Sequence, residues 1–249
     1  MDGYLEGRHA VLEALESRVP VSAVWLADGV KDEKFAGRLL HLAYASDVEV
    51  RVVARAELDR RSDHGAHQGV VARVRPFDYV GFDDLVRLAA GRHDALVVAC
   101  DHVLDPGNLG AIARTVEVVG GVGLLIPNKR AAQVTAVAYK SSAGALLHLP
   151  VAREANLVNC LKRAKDEGFW VIGASEHAEC DIWSAPLDGR IVLVMGSEGG
   201  GLSRLVAQTC DELVALPQMG QTESLNVAQA TTAIAYEWLR RARHAGGAA

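Results

Sequence analysis

Residues 95–120 read ALVVACDHVLDPGNLGAIARTVEVVG. The apolar run ending at Cys100 is a short strand candidate, and Asp105-Pro106-Gly107 punctuates it as a turn. The spacing predicts a helix from about Asn108, a residue type suited to cap it. Gly110 would let another group approach the helix backbone closely. Arg114 stands about one and a half turns further in, where AIARTVEVVG is otherwise almost wholly apolar. A lone arginine in such a helix needs a buried partner or faces a ligand.

The same strand-then-helix pattern recurs downstream. Strand candidates are GVGLLI (121–126), FWVIGA (169–174), RIVLVM (190–195) and ELVAL (212–216), with helical patterns between them. This predicts an α/β fold over 94–249: a mostly parallel sheet with helices on both faces. Upstream, GRHAVLEALES and KFAGRLLHLAYAS have helical spacing, while SAVWLA, VEVRVV and HQGVVARV read as strands, the last closed by Pro76. A small α/β domain is therefore expected over 1–76. Residues 77–93 are expected to form a linker with a short helix.

Half the 249 residues are hydrophobic and 23% are charged, as in ordinary globular proteins. No apolar run reaches the roughly 18 residues of a membrane span. The start MDGYLEGRHA lacks the basic and apolar regions of a signal peptide. Four widely spaced cysteines, with no CxxC pair, suit reduced thiols of a cytoplasmic protein. The net charge of -5 argues against a uniformly basic surface, but the charge is uneven. Asp101 to Lys165 holds eight Lys/Arg and four Asp/Glu, whereas Asp166 to Leu239 holds two and eleven. Residues 51–75 carry six arginines against three acids.

Ligands of open α/β sheets gather outside the carboxyl ends of the strands. Two further loops stand there. VMGSEGGGLS (194–203) is glycine-rich, yet it is neither GxxxxGK[ST] nor GxGxxG, which disfavours a nucleoside triphosphate or a dinucleotide. Its glycines suit close backbone contact with a small ligand, and Glu198 is its one ionisable group. In LPQMGQTESLNVAQAT (216–231), Pro217 and Gly220 shape a loop, and Ser224 or Asn226 starts the last helix. The capping box from Ser224 is incomplete, since position 227 is Val. His64 and His67 have i, i+3 spacing, but no Cys/His pair completes a tetrahedral site, so no metal is expected.

NLGAIART (108–115), VMGSEGGGLS and LPQMGQTESLNVAQAT together resemble the motifs of the SpoU (TrmH) branch of the SPOUT methyltransferases, in that family's order. GRHAVLEAL (7–15) and HQGVVARV (68–75) are similar to the ribosomal-protein-like substrate domain of the subgroup that methylates a 23S rRNA guanosine at its 2′-oxygen. The resemblance implies a deep trefoil knot in the second domain, S-adenosylmethionine as cofactor and a homodimer through the knotted domains. The implied reaction is methyl transfer to a ribose 2′-hydroxyl. The cofactor would be held by Gly173, Ala174, Ser175, Met195, Gly196, Gly199, Leu216, Pro217, Gly220, Ser224, Leu225 and Asn226.

Arg114 would grip the RNA phosphate and stabilise the developing alkoxide, because a guanidinium stays protonated and makes a poor base. Asn108 and Asn226 would orient by hydrogen bonding. Ser224 would hold Arg114 or the ribose, and Glu198 would orient Arg114 or stabilise the knot. Arg51, Arg55, Arg60, Arg61, Arg73 and Arg75 would supply phosphate contacts to a folded RNA. Gln229, Thr231 and Thr232 depart from the small apolar residues usual in that last helix. The same chemistry on tRNA, or on rRNA as an antibiotic-resistance methylase, is the serious rival. A hydride-transferring Rossmann enzyme and a non-catalytic RNA-binding module are the others.

Overall fold

A computed structural model describes residues 3–62, 65–221 and 224–245. It divides into two units, Met1–Asp78 and Tyr79–Ala249.

In the first unit the elements run β1 (Gly3–Glu6), α1 (Arg8–Glu16), β2 (Val21–Ala27), α2 (Glu33–Ala45), β3 (Val50–Val53), α3 (Arg55–Arg61) and β4 (Val70–Val74). The strands order as β1-β4-β2-β3, with β4 antiparallel to both neighbours and β2 parallel to β3. Leu58 of α3 packs with Ala23, Trp25, Ala27 and Val71 to form a core on one sheet face. Periodicity finds α1, α2, β2, β3 and β4. It misses β1 and α3, four and seven residues long, because neither repeats often enough to show a period.

The second unit continues with α4 (Phe82–Ala89), β5 (Ala95–Cys100), α5 (Pro106–Val118), β6 (Gly123–Pro127), α6 (Ala136–Ser141), β7 (Val151–Glu154), α7 (Leu157–Asp166), β8 (Trp170–Ala174), β9 (Cys180–Asp181), β10 (Arg190–Met195), α8 (Arg204–Thr209), β11 (Glu212–Ala215) and α9 (Val227–Ala245). Its seven strands order as β7-β6-β5-β10-β8-β11-β9, and every pair is parallel. The expected α/β architecture is thus present. In the centre, Val192 of β10 is level with Val97 of β5 and Val171 of β8. Burial on both faces explains the unbroken apolar runs of these strands. Each large side chain so buried stabilises the fold by about 1.5–3 kcal/mol. The edge strands β7 and β9 are short and carry charge, which hid them from periodicity.

Residues 77–93, expected as a linker with a short helix, contain α4, whose Phe82, Leu85 and Ala89 are buried in the core of the second unit. The amide of Phe82 donates to Glu154 Oε1 (2.8 Å), tying the helix start to β7.

Two helix starts matter for the site. Asn108 does not cap α5. Asp105 does, accepting from the Asn108 amide at 2.7 Å, with Pro106 at the first helical position. The side chain of Asn108 is thereby released for other contacts. At α9, Asn226 caps through Oδ1, which accepts from the Ala228 amide (2.9 Å), and Ser224 lies outside the helix. Gly110 has the close approach its sequence context suggested: a Cβ there would collide with Ser141 Oγ and the Ala138 carbonyl of α6.

Candidate active site

Because all seven strands point the same way, their following loops collect at one edge of the sheet. A cleft of about 420 Å³ opens there beyond β8, β10 and β11, a size suited to a small organic ligand. Ala174 and Ser175 line it from the β8 side, and Met195, Gly196 and Gly199 from β10. Leu216, Ser224 and Leu225 line it from the segment between β11 and α9. Gly196 must be glycine, since a Cβ would strike the backbone of Gly201 and Leu202. That segment is closed by reciprocal backbone bonds between Ser197 and Gly201, both 3.0 Å.

Four of the expected cofactor residues do not line the cleft. Gly173 is buried against Leu202, Leu213 and Cys210, so its glycine identity answers to packing. Pro217 and Gly220 are exposed on the loop. Asn226 stands beside the cleft, bonded to Glu198, which lines it. The structure adds Glu176, His177 and Gln218 as polar lining residues. Their signal in the sequence was position alone: Glu176 and His177 come just after Ser175, which follows the strand that ends at Ala174.

One carboxylate joins the three loops. Glu198 Oε1 accepts from Asn108 Nδ2 (2.8 Å) and from Asn226 Nδ2 (2.6 Å), and Asn226 Nδ2 also donates to Asn108 Oδ1 (2.9 Å). A carboxylate is acceptor-only, so it turns both amide groups toward itself and fixes their carbonyl sides. Asp101, which sequence reasoning passed over, is only 2% exposed and anchors the same region. Its Oδ2 accepts from the Ser203 amide (2.6 Å) and its Oδ1 meets His102 Nδ1 (2.7 Å). The end of the glycine loop is thus clamped to the end of β5.

Arg114 is not gathered into this network. At 100° per residue it lies roughly 120° around α5 from Asn108. It is exposed, absent from the cleft wall, and held by no hydrogen bond or ion pair among the described residues. A buried partner for Arg114 is therefore excluded within the chain's described residues. Within the chain, Glu198 bonds Asn108 and Asn226 and not Arg114. Val118, one turn further along α5 and 57% exposed, leaves apolar surface beside it. Thr231 and Thr232 serve contacts inside the chain: Thr231 Oγ1 donates to the Val227 carbonyl (2.7 Å), and Thr232 Oγ1 meets Thr115 Oγ1 of α5 (2.8 Å).

In the first unit, strand register places Trp25 level with Arg51 and Val71, and Arg73 level with Tyr4 and Ala23, on the face that α3 partly covers. The Arg61 guanidinium lies 4.7 Å over the Trp25 ring. Arg55, Arg60 and Arg75 are exposed. Arg51 and Arg61 each hold an acidic neighbour, Glu49 at 2.6 Å and Glu57 at 2.8 Å. Of the histidine pair, His64 lies outside the described residues. His67 is buried, with Nε2 on Asp59 (2.9 Å) and Nδ1 accepting from the Gly69 amide (3.1 Å). Among the described residues no group of three or more His, Cys, Asp or Glu is arranged for a metal, and no helix is long and apolar enough to cross a membrane. All four cysteines are free, and burial pushes the Cys100 thiol up to about 12, which keeps it unreactive.

A wholly parallel sheet, a ligand-sized cleft at its carboxyl edge and polar side chains converging from three loops define an α/β enzyme that works with a bound small molecule. The family model described as the SpoU rRNA methylase family matches residues 95–236, and one described as RNA 2′-O ribose methyltransferase substrate binding matches residues 4–80. The chain belongs to the SpoU rRNA methylase family, a family of RNA-methylating enzymes. A Mycobacterium ulcerans protein named as an uncharacterized tRNA/rRNA methyltransferase is 44% identical over 237 residues, 95% of this chain and 76% of that protein. The crystal structure of the SpoU methyltransferase AviRb from Streptomyces viridochromogenes, in complex with AdoMet, is 28% identical with a TM-score of 0.65, covering 96% of this chain and 89% of that one. An AdoMet-bound rRNA methyltransferase from Sinorhizobium meliloti, 24% identical with a TM-score of 0.64 over 96% of this chain and 87% of that one, shares the fold.

Proposed function

We propose that this chain transfers a methyl group from S-adenosylmethionine to a ribose 2′-hydroxyl of RNA, with a guanosine of 23S rRNA as the target. The observation that carries the reading is the Glu198 bridge, which holds Asn108 and Asn226 at the cleft with their carbonyl sides fixed. The cleft suits the cofactor chemically. Gly196 permits close backbone approach, Met195, Leu216 and Leu225 offer apolar walls to an adenine, and Glu176 and Glu198 favour a cationic sulfonium. When bound, S-adenosylmethionine would supply an electrophilic methyl group for the 2′-oxygen, with S-adenosylhomocysteine as the leaving group and the hydroxyl proton released to solvent.

The chain's own part is alignment and electrostatics. Asn108 and Asn226 orient the ribose, Ser224 contacts it from the cleft wall, and Glu198 positions the two asparagines. The deep trefoil knot belongs to the same reading, and the meeting of residues 174–177 and 195–202 with Leu216, Gln218, Ser224 and Leu225 around one cleft supports it. So does a homodimer. Arg114 and Val118, one turn apart on α5, set an unpaired cation beside exposed apolar surface, and a second copy covering them would bring Arg114 to the partner's cleft. There the guanidinium would hold the RNA phosphate and stabilise the developing alkoxide. The face of Trp25, Arg51, Arg61 and Arg73, with Arg55, Arg60 and Arg75 exposed nearby, suits phosphates of a folded RNA.

The test is incubation with labelled S-adenosylmethionine and total cellular RNA, followed by mapping of the modified nucleotide. Label at a 2′-oxygen of a 23S rRNA guanosine is expected. Label confined to tRNA moves the substrate, and no transferred label rejects the reading. Arg114→Ala and Asn226→Ala, each inactive alone, are expected to regain about a quarter of wild-type activity when their subunits are exchanged, as one intact site per mixed dimer requires. No recovery would return Arg114 to its own chain's cleft.

A further inference from the structure

The carboxyl edge of the seven-stranded sheet is electrically lopsided. Around the cleft, the loops after β8 and β10 carry Glu176, Glu179 and Glu198. On the other half, the loop after β6 presents Lys129 and Arg130 side by side, both exposed, and no hydrogen bond or ion pair engages either among the described residues. Arg153 stands on the neighbouring strand β7, its guanidinium 4.1 Å over the Tyr79 ring and donating to Gln133 Oε1 at 3.1 Å.

This loop is built to a fixed shape. Arg130 has φ +55°, a left-handed backbone state that a residue with a Cβ rarely adopts. The strained tip is anchored on both sides. The Asn128 amide donates to the Glu154 carbonyl (2.8 Å), and the Ala132 amide donates to the Val103 carbonyl (2.8 Å). Val103 belongs to the segment that runs from Asp101 into α5 and ends at Asn108. Two unpaired cations are therefore held between the end of β7 on one side and, through Ala132, the segment that carries the orienting asparagine on the other.

We propose that the Lys129–Arg130 loop is a docking site for the RNA phosphate backbone flanking the target nucleotide. The strand then runs over the β5–β7 half of the edge, and the cofactor occupies the acidic β8–β11 half. The inference rests on the proposed RNA methylation and adds to it the direction from which the substrate enters. The physical reasons are local. A surface cation with no acidic partner has no ion pair to give up, and it releases its counterions when a phosphate binds. A rigid tip gives up little conformational entropy when it binds. The acidic half repels the same backbone, so the polarity of the edge sets the register of the strand.

The decisive variant is Lys129→Glu/Arg130→Glu in the full chain, compared with the charge-preserving Lys129→Arg/Arg130→Lys. For the reversal, KM for RNA is expected to rise about tenfold or more while kcat at saturating RNA changes little. The slope of log affinity against log salt should become shallower by about 1–2, as loss of two phosphate contacts requires. Affinity for S-adenosylmethionine, measured by calorimetry, should be unchanged, and the charge-preserving pair should behave as wild type. Unchanged RNA affinity and salt slope in the reversal would overturn the proposal, as would an equal loss in the charge-preserving pair. Filter binding of RNA reads this surface even where no methyl is transferred, so failure of the activity and failure of this docking site are told apart.

Discussion

The two sheets of this chain handle charge differently, and their topology explains why. In the seven-stranded sheet every pair is parallel, so the loops after β5, β6, β8, β10 and β11 all emerge at one edge. Residues as distant as Asn108 and Asn226 meet there at 2.9 Å. In the four-stranded sheet β4 is antiparallel to both its neighbours, and strand ends alternate between the two edges. Its arginines cannot converge on a point. They spread across a face instead, alongside Trp25, at positions set by register. A parallel sheet concentrates side chains into a site for one small molecule, while a mixed sheet of this kind distributes them over a surface suited to an extended partner.

Asn226→Ala should break the concentrated site most severely. Loss of one positioned polar group is expected to lower kcat by roughly 10²–10³, with the melting temperature reporting separately the weaker α9 cap. Retention of near-normal turnover would detach the three-loop network from catalysis. Gly196→Ala comes next, since overpacking against backbone costs about 1–3 kcal/mol. Urea unfolding should show that loss, and calorimetry a weakened affinity for S-adenosylmethionine.

Glu237 sharpens the comparison from the back of the site. Hydrogen bonding from Arg240, supported by Arg241, holds its carboxyl down at about 2 against an ordinary 4.5. Arg241 also donates to the Ala185 carbonyl at 2.7 Å, so the pair secures the chain that follows β9. A depressed folded pKa means the stabilisation is complete above 4.5 and is lost as pH falls toward about 2. Denaturation midpoints of wild type and Glu237→Gln should therefore differ at neutral pH and converge in acid. The smallest effect is expected in the distributed face. Arg61→Ala removes a partly exposed guanidinium from Trp25, at about 0.5–1 kcal/mol of stability, and should weaken RNA binding without changing cofactor affinity.

Much of this was legible in the sequence because it depends on local pattern. The central strands are long apolar runs, and the three loops carry recognisable motifs at strand ends. The short elements β1, β7, β9 and α3 were not legible, since tertiary pairing makes them and no periodicity announces them. Residues 77–93 read as a linker because α4 lies between Pro76 and Gly91, and only packing shows Phe82 and Leu85 inside the core. The cap of α5 was misplaced by three residues, because both Asp105 and Asn108 are good caps and Pro106 decides between them.

The amino-acid sequence by itself determined the α/β alternation and the family, and through that resemblance it grouped Asn108, Arg114, Glu198, Ser224 and Asn226 as one expected site. Propensity, burial pattern and motif order act along the chain, and they can be read there. Only the tertiary structure decided that Glu198 holds the two asparagines and leaves Arg114 alone. It likewise showed that Gly173 serves packing and that Asp101 clamps the glycine loop. Those outcomes depend on which helix face turns inward and which loops share a sheet edge, and both are set by contacts between residues about a hundred positions apart.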